Sequence, residues 1–229
     1  MIKGVLFDFS GTLFRIESAE DWLRAVVAAC GHAMAEAELA GCAARLEAAG
    51  AQPGGANPRR LPARLETLWR ERDLSGEQHR AAYTALAREA GLPSPALAEA
   101  LYDRHRDPAA WWPYPDAEST LKELRGRDIP VAVVSNIGWD LRPVFRHHGL
   151  DPLVDAYLLS YEYGVQKPDR RFFRAACDAL GLHPTEVLMV GDHPAADGGA
   201  EALGCAVHFV DPLPVDRRPD ALTAVLGLL

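Results

Sequence analysis

Apolar runs that end at a polar residue recur along this chain. The clearest occupy residues 4–8, 131–136 and 187–192, and weaker ones occupy residues 157–160 and 206–210. Short runs that are rich in β-branched side chains and show no polar alternation are typical of strands buried on both faces of a parallel sheet. The pattern therefore predicts five strands of this kind.

Helical periodicity fills the spaces between these runs. The predicted helices cover residues 116–127, 141–148, 169–180 and 195–203. Strands that alternate with helices of this length predict an α/β fold with a doubly wound parallel sheet, similar to the Rossmann arrangement. Ligands bind such sheets outside the carboxyl ends of the strands. Asp8, Ser135 and Asp192 stand at those ends, so we expect the topology to bring them to one edge.

The residues between the first and second strands have a different character. They are rich in alanine, leucine, glutamate and arginine, which predicts an all-helical insertion without strands. Ser18, Ser75 and Ser94 are helix-capping residues that predict three helix starts, and the glycines and prolines of residues 51–62 predict a loop. We expect the insertion to cover the sheet edge as a lid. The predicted units are a core of residues 1–14 and 114–229 and a helical cap of residues 15–113.

The net negative charge of the chain indicates which kinds of molecule it is able to bind. The chain has 32 acidic and 24 basic side chains and a net charge of −8 at pH 7, which argues against nucleic acid or an anionic membrane as its main partner. No apolar run in the sequence approaches the roughly 20 residues that a membrane span needs. We expect a cytoplasmic monomer or homodimer that binds a small molecule. The four widely spaced cysteines are expected to be reduced.

Four short motifs stand at the predicted strand ends and in the loops beside them. They are Asp8-Phe9-Ser10-Gly11-Thr12-Leu13, Ser135-Asn136, Lys167-Pro168, and Gly191-Asp192 with Asp197. In order and spacing they resemble the four motifs of the haloacid dehalogenase-like hydrolase superfamily, with a helical cap between the first and second motifs. The resemblance covers nearly the whole chain, and it agrees with the sheet topology predicted from the apolar runs.

The resemblance implies phosphoryl transfer at Asp8. A carboxylate can act as the nucleophile and form an aspartyl phosphate. Because two anions must then approach each other, cations are required. The resemblance implies Mg²⁺, held by the Asp8 carboxylate, the Ser10 main-chain carbonyl and the Asp192 carboxylate, with Asp197 as an outer or secondary metal carboxylate. Mg²⁺ typically takes few protein carboxylates together with waters and a substrate phosphate.

The same resemblance implies which groups bind the substrate, a small phosphorylated metabolite. Lys167 would neutralise charge on Asp8 and on the transferred group. Phosphate oxygens would be bound by several short polar groups of the first two motifs. These groups are the Thr12 and Ser135 side chains, Asn136 beside them, and the main-chain N–H groups around Ser10 and Gly11.

One residue departs from the phosphatase pattern. Phosphatases of the superfamily carry a second aspartate two residues after the nucleophile, which serves as general acid to the leaving group and then as base for the hydrolytic water. This chain has Ser10 at that position. A serine hydroxyl cannot act as a general acid and base near neutral pH. The rate enhancement of roughly 10²–10⁴ that general acid–base catalysis provides is therefore expected to be missing unless another group supplies it.

Four functions compete after this departure, and the composition of the cap sets one of them aside. The prediction is a Mg²⁺-dependent phosphohydrolase whose substrate has a good leaving group, or which recruits a cap residue or a water as acid. A 2-haloacid dehalogenase also lacks the second aspartate, but its fourth motif lacks the metal carboxylate that Asp192 provides. A phosphonoacetaldehyde hydrolase needs a cap lysine, and residues 14–113 contain none. The fourth is a weakly active or non-catalytic binding protein that keeps the fold and the metal.

Overall fold

A five-stranded parallel sheet lies at the centre of the structure, a computed structural model that describes residues 1–92 and 94–229. In those residues the strands are β1 (Gly4–Phe7), β2 (Phe14–Ile16), β3 (Trp111–Pro113), β4 (Val131–Ser135), β5 (Ala156–Leu159), β6 (Val187–Gly191) and β7 (Ala206–Phe209). The sheet order is β5-β4-β1-β6-β7, and each neighbouring pair is parallel. The five strands predicted from the apolar runs are confirmed, each to within one residue at either end.

β1 is the middle strand, and the strand order reverses there. β4 and β5 lie on one side of it, and β6 and β7 lie on the other. Phe7 is opposite Val133 of β4 and Val190 of β6, and all of β1 is buried. A crevice forms at such a reversal, outside the carboxyl ends of the strands. Asp8 enters that crevice directly from β1.

Helices cover both faces of the sheet and build the insertion. Within the described part of the chain the α-helices are α1 (Ala19–Ala29), α2 (Glu36–Ala49), α3 (Glu66–Arg70), α4 (Gly76–Glu89), α5 (Pro95–Arg104), α6 (Ala117–Gly126), α7 (Arg142–His147), α8 (Ser160–Tyr163), α9 (Arg170–Ala179) and α10 (Pro194–Asp197). Helices α1 to α5 lie between β2 and β3. Ser18, Ser75 and Ser94 each accept a main-chain N–H from the first turn that follows, so the predicted helix starts are confirmed.

The predicted helix over residues 195–203 is wrong in part. The structure has one α-helical turn, α10, followed by a 3₁₀ helix over Gly198–Leu203. Two adjacent glycines weaken a regular α-helix. A Cβ atom at Gly199 would lie 2.6 Å from the main-chain oxygen of Pro168. The irregular segment therefore packs its backbone directly against the loop that carries the third motif.

The insertion is not wholly helical, contrary to the prediction. β2 and β3 pair as an antiparallel ribbon, with Phe14 opposite Pro113 and Ile16 opposite Trp111. At three residues each, these strands are too short for their alternation to stand out from the helical pattern around them. The ribbon joins the two chain segments that connect the sheet to α1 and α5.

Helices α1 to α5 bury an apolar cluster of their own. It includes Trp22, Leu46, Leu86 and Leu101, and the Trp22 indole N–H donates to the Leu101 main-chain oxygen at 3.0 Å. Two other clusters pack against the two faces of the sheet.

The predicted division into a core and a cap, with its boundaries, stays a prediction. Across residues 1–92 and 94–229, no helix combines the length and apolar character that a membrane crossing requires.

Two buried histidines lie where the cap meets the sheet. The His79 and His105 rings are 5.5 Å apart, and the His105 ring is 5.4 Å from the Trp139 indole. His79 Nδ1 and the Tyr102 hydroxyl form a hydrogen bond at 2.8 Å, while His105 Nδ1 donates to the Tyr102 main-chain oxygen. Burial is the largest cause that lowers the pKa of both rings, that of His105 to about 3. Both histidines are therefore neutral in the folded chain at pH 7.

We predict that His105→Asn reduces the loss of stability on acidification. The unfolded ring has a pKa of about 6.5, so below that pH the unfolded chain binds a proton that the folded chain takes up only near pH 3. The contribution of His105 to stability is complete above pH 6.5 and falls by about 1.4 kcal/mol per pH unit below it. Urea unfolding at pH 7, 6 and 5 measures this slope.

The comparison of slopes isolates His105 from the carboxylates that titrate in the same range. The slope is expected to be shallower in His105→Asn than in the wild type. His32→Asn, at an exposed position, is the control and should keep the wild-type slope. Equal slopes in His105→Asn and the wild type would contradict the prediction.

Candidate active site

The main chain of Asp8 is fixed by the sheet. Its N–H donates to the Val190 oxygen at 2.9 Å, so the pairing between β1 and β6 continues to this residue. The side chain is buried, and its Oδ1 lies 2.8 Å from the Nζ of Lys167. The ammonium holds this one carboxylate oxygen, which leaves Oδ2 to meet other partners.

Lys167 is buried between two carboxylates. Its Nζ lies 2.8 Å from Asp8 Oδ1 and 2.6 Å from Asp197 Oδ1. The second oxygen of the fully buried Asp197 accepts the His193 main-chain N–H at 2.9 Å. Burial acts to lower the pKa of Lys167, but Asp197 and Asp8 together raise it. The side chain is therefore a permanent cation in the crevice.

Asn136 positions the loop that carries Lys167. Its Oδ1 accepts the Lys167 N–H at 2.6 Å, and its Nδ2 donates to the Lys167 oxygen at 2.9 Å. Both ends of the amide thus contact the main chain of Lys167, and the substrate contact expected for Asn136 stays a prediction. Ser135 is the buried last residue of β4 and, like Asn136, lines the cavity above Asp8.

Three carboxylates meet at this edge of the sheet. Asp8, Asp192 and Asp197 each have an oxygen within 4.8 Å of the other two. Burial above all, and then the charges of Asp197 and Asp192, raise the pKa of Asp8 to about 7 against the opposing effect of Lys167. Burial and Asp197 also raise the pKa of Asp192. One ammonium does not balance three carboxylates, and a set of oxygen donors suits a hard divalent cation such as Mg²⁺.

The other first-motif residues divide between the cavity and the interior. Ser10 lines the cavity, and its hydroxyl donates to the Gly54 main-chain oxygen of a cap loop at 3.3 Å. Gly11 has a φ of +83°, and a Cβ there would lie 2.4 Å from the Asp192 carboxylate, so only glycine fits. The Thr12 hydroxyl is buried and has no hydrogen-bond partner among the described residues. Neither Gly11 nor Thr12 lines the cavity, and their phosphate contacts stay predictions.

A cavity of about 410 Å³ opens beside the carboxylate cluster. The core lines it with residues of all four motifs. The cap lines it with the loop of residues 53–57, with Arg15 of β2 and Trp111 of β3, and with four side chains between residues 72 and 83. These four side chains are Arg72, Asp73, His79 and Tyr83. The sequence analysis missed these four residues, because no recognisable motif surrounds them. They come together only when the cap packs over the sheet.

The motif geometry agrees with a family match. Residues 2–204 match the description "haloacid dehalogenase-like hydrolase". The chain belongs to this family of hydrolases. The parallel sheet and the inserted helices are those of the family's solved structures, so the resemblance stated from the motifs is confirmed at the level of family and fold.

The proteins similar to this chain include both phosphatases and dehalogenases. The phosphoserine phosphatase of Thermus thermophilus is 37% identical over 162 residues, or 64% of each chain. The (S)-2-haloacid dehalogenase 1 of a Pseudomonas species is 33% identical over 156 residues, 61% of this chain and 67% of the dehalogenase. The L-2-haloacid dehalogenase structure from Xanthobacter autotrophicus has a TM-score of 0.66 and 25% identity, covering 98% of this chain and 83% of that one. The match spans less than two thirds of the phosphatase's length.

A residue outside the four motifs holds the first-motif loop of this hydrolase. Arg218 follows β7 and is buried. Its Nη1 donates to the Gly11 oxygen at 2.6 Å and to the Asp211 oxygen at 3.1 Å, and its Nη2 donates to the Thr12 oxygen. The guanidinium Cζ lies 3.0 Å from the centre of the Tyr114 ring. The sequence analysis missed Arg218, because no recognisable motif surrounds it.

We predict that Arg218→Met destabilises the chain by about 2–4 kcal/mol. The substitution leaves the buried carbonyls of Gly11 and Thr12 without their donor, and each unsatisfied group costs about 1–3 kcal/mol. Urea unfolding of the wild type and the variant measures the change in unfolding free energy. Arg217→Met alters an exposed neighbour and should leave stability within about 0.5 kcal/mol of the wild type. Equal stabilities of the two variants would rule out this role for Arg218.

Proposed function

We propose that this hydrolase is a Mg²⁺-dependent phosphatase that acts on a small phosphorylated metabolite through an aspartyl phosphate at Asp8. The observation that carries the proposal is the carboxylate of Asp192, which lies with Asp8 and Asp197 in a cluster with oxygens within 4.8 Å. Phosphate monoester hydrolysis brings an anionic substrate to an anionic nucleophile, so the site needs extra positive charge. A 2-haloacid is also an anion, but its charge lies on the carboxylate and not on the carbon that is attacked, so halide displacement needs no metal ion at the reacting atom.

The carboxylate cluster fits a bound Mg²⁺. Asp8, Asp192 and the Ser10 main-chain oxygen would hold the ion, with Asp197 as an outer carboxylate. When bound, Mg²⁺ neutralises negative charge that develops on the phosphoryl oxygens. The raised pKa values of Asp8 and Asp192 support this assignment, because they reflect carboxylates crowded together with too little compensating charge.

The chain's own residues supply the nucleophile and its positioning. Lys167 holds Oδ1 of Asp8 at 2.8 Å, so Oδ2 is the oxygen that attacks phosphorus. The bond from Asp8 to phosphorus forms as the bond to the leaving-group oxygen breaks. Ser135, at the end of β4, lines the cavity and would donate to a phosphate oxygen. Water then attacks the phosphorus, which releases Asp8 and inorganic phosphate.

We predict Mg²⁺-dependent hydrolysis of p-nitrophenyl phosphate and acetyl phosphate. Both have good leaving groups, so they react without the acid that position 10 lacks. Asp8→Asn should reduce the rate to background because the amide is a poor nucleophile, and EDTA should abolish activity that added Mg²⁺ restores. Asp178→Asn, which alters an exposed carboxylate on α9, should match the wild type. No activity in the wild type, or full activity in Asp8→Asn, would refute the proposal.

A 2-haloacid dehalogenase is the second candidate, and the observation that favours it is Ser10. Halide is a leaving group that needs no proton, so such an enzyme needs no acid two residues after its nucleophile. The similarity to two haloacid dehalogenases points the same way. In that reaction Asp8 would attack the carbon that bears the halogen, and Asp192 would have no metal to hold. If the chain has neither activity, the weakly active or non-catalytic binding protein becomes the remaining function.

We predict that 2-chloropropionate incubated with the protein and EDTA releases no chloride. The measurement is halide release over time, with the Mg²⁺-dependent hydrolysis of p-nitrophenyl phosphate run in parallel on the same preparation. Asp192→Asn should abolish the phosphatase activity, because it removes a metal carboxylate, and should create no dehalogenase activity. Chloride release that requires Asp8 and persists in Asp192→Asn would make the dehalogenase the correct function.

A further inference from the structure

We propose that Asp73, a residue of the cap, is the general acid and base of this site and replaces the aspartate that position 10 lacks. The inference rests on the proposed phosphatase function. Among the described residues that line the cavity, the carboxyl groups are those of Asp8, Asp73 and Asp192. Asp8 and Asp192 belong to the carboxylate cluster with Asp197, so Asp73 is the carboxyl that is free for a second role.

The position of Asp73 is fixed relative to the sheet. It lies in a 3₁₀ turn, Arg72–Leu74, directly before the Ser75 cap of α4. Its main-chain oxygen accepts the Ser160 hydroxyl at 2.5 Å, and that hydroxyl oxygen also accepts the Ile137 N–H at 2.8 Å. Ser160 follows β5, and Ile137 follows β4. Asp73 is therefore anchored to the same sheet edge at which Asp8 lies.

The side chain of Asp73 is buried on the wall of the cavity beside two basic groups. It is 2% exposed, with Arg72 Nη2 3.3 Å from Oδ2 and His79 Nε2 3.8 Å from Oδ1. Both distances are longer than the roughly 2.7–2.9 Å of a charge-assisted hydrogen bond. A carboxyl group held this loosely on a cavity wall is able to meet a polar group of the substrate.

The surroundings of Asp73 shift its pKa in the direction that an acid needs. Burial raises its pKa, and the opposing charges of Arg72 and Lys167 only partly offset that effect. His79 adds no charge, because burial lowers the pKa of its ring well below the usual value.

The other ionisable groups on the cavity wall are less suited to the role. Arg72 and Arg15 do not give up a proton at accessible pH. Burial raises the pKa of the Tyr83 phenol. The phenol therefore stays protonated and cannot take a proton from the hydrolytic water. His79 is neutral with its Nδ1 bound to Tyr102. His193 is exposed and directly follows Asp192.

The proposed proton transfers balance over the two steps. As the bond between phosphorus and the leaving-group oxygen breaks, that oxygen takes the proton of the Asp73 carboxyl, and Asp73 becomes a carboxylate. In the second step Asp73 takes a proton from water as the water oxygen bonds to phosphorus. The bond between phosphorus and Asp8 then breaks, which restores the Asp8 carboxylate and the protonated Asp73.

The dependence on leaving group tests this role. The Mg²⁺-loaded protein and its Asp73→Asn variant are assayed on p-nitrophenyl phosphate, phenyl phosphate and ethyl phosphate, whose leaving groups are progressively more basic. A general acid helps most when the leaving group is basic. We expect Asp73→Asn to lose roughly 10²–10⁴ in kcat/KM on ethyl phosphate and less than about tenfold on p-nitrophenyl phosphate. Asp103→Asn, an exposed cap carboxylate, should lose little on any substrate.

The outcomes separate this inference from the proposed function. Wild-type protein that is inactive on p-nitrophenyl phosphate refutes the phosphatase itself. Active wild type with an equal loss on all three substrates in Asp73→Asn, or with no loss, overturns the role of Asp73 alone, since a structural or binding role does not depend on the leaving group. If Asp73→Asn does not fold, Asp73→Ser is judged by the same ratio of losses.

Discussion

The ammonium of Lys167 between Asp8 and Asp197 is the interaction on which the site depends. Moving such charges out of water costs several kcal/mol for each ion unless they are paired at close range. Here the pairing distances are 2.8 Å and 2.6 Å. A compact ammonium can contact two carboxylates at once, whereas a planar guanidinium would have to separate them. The fold brings these three residues together because Asp8 follows β1, Asp197 lies in α10 after the neighbouring β6, and Asn136 after β4 holds the main chain of Lys167.

The core and the cap contribute different chemistry to the cavity. The core supplies the carboxylate cluster, the ammonium and the residues at the end of β4. The cap supplies two arginines, a buried carboxyl, a neutral histidine and a phenol. A nucleophile has to be rigid, and a sheet edge clamped by Asn136 and Arg218 is rigid. Groups that meet the leaving group can belong to the cap that packs over the sheet edge.

The sequence was sufficient for the parts of the molecule that local patterns encode. Apolar runs predicted the five strands, and the strand ends predicted that Asp8, Ser135 and Asp192 lie at one edge of the sheet. The placing of Lys167 and Asp197 beside them followed from the family resemblance. The β2–β3 ribbon was not predicted, because a strand of three residues is too short to show a polar and apolar alternation. Asp73 and Arg218 were missed for another reason. Their positions depend on contacts with residues far away in the sequence, such as Ser160 and Gly11, and such contacts leave no pattern in the neighbouring residues.

The serine at position 10 is linked to the close packing of the cap loop that contains Gly54. The Ser10 hydroxyl donates to the Gly54 oxygen at 3.3 Å, and Gly54 has a φ of +76° with the Trp111 ring where a Cβ would be. The cap loop therefore sits directly on position 10. An ionised aspartate there would press a carboxylate against that carbonyl oxygen and push the loop away. A cap loop that packs this closely disfavours a carboxylate at position 10, which agrees with the proposal that Asp73 of the cap supplies the acid.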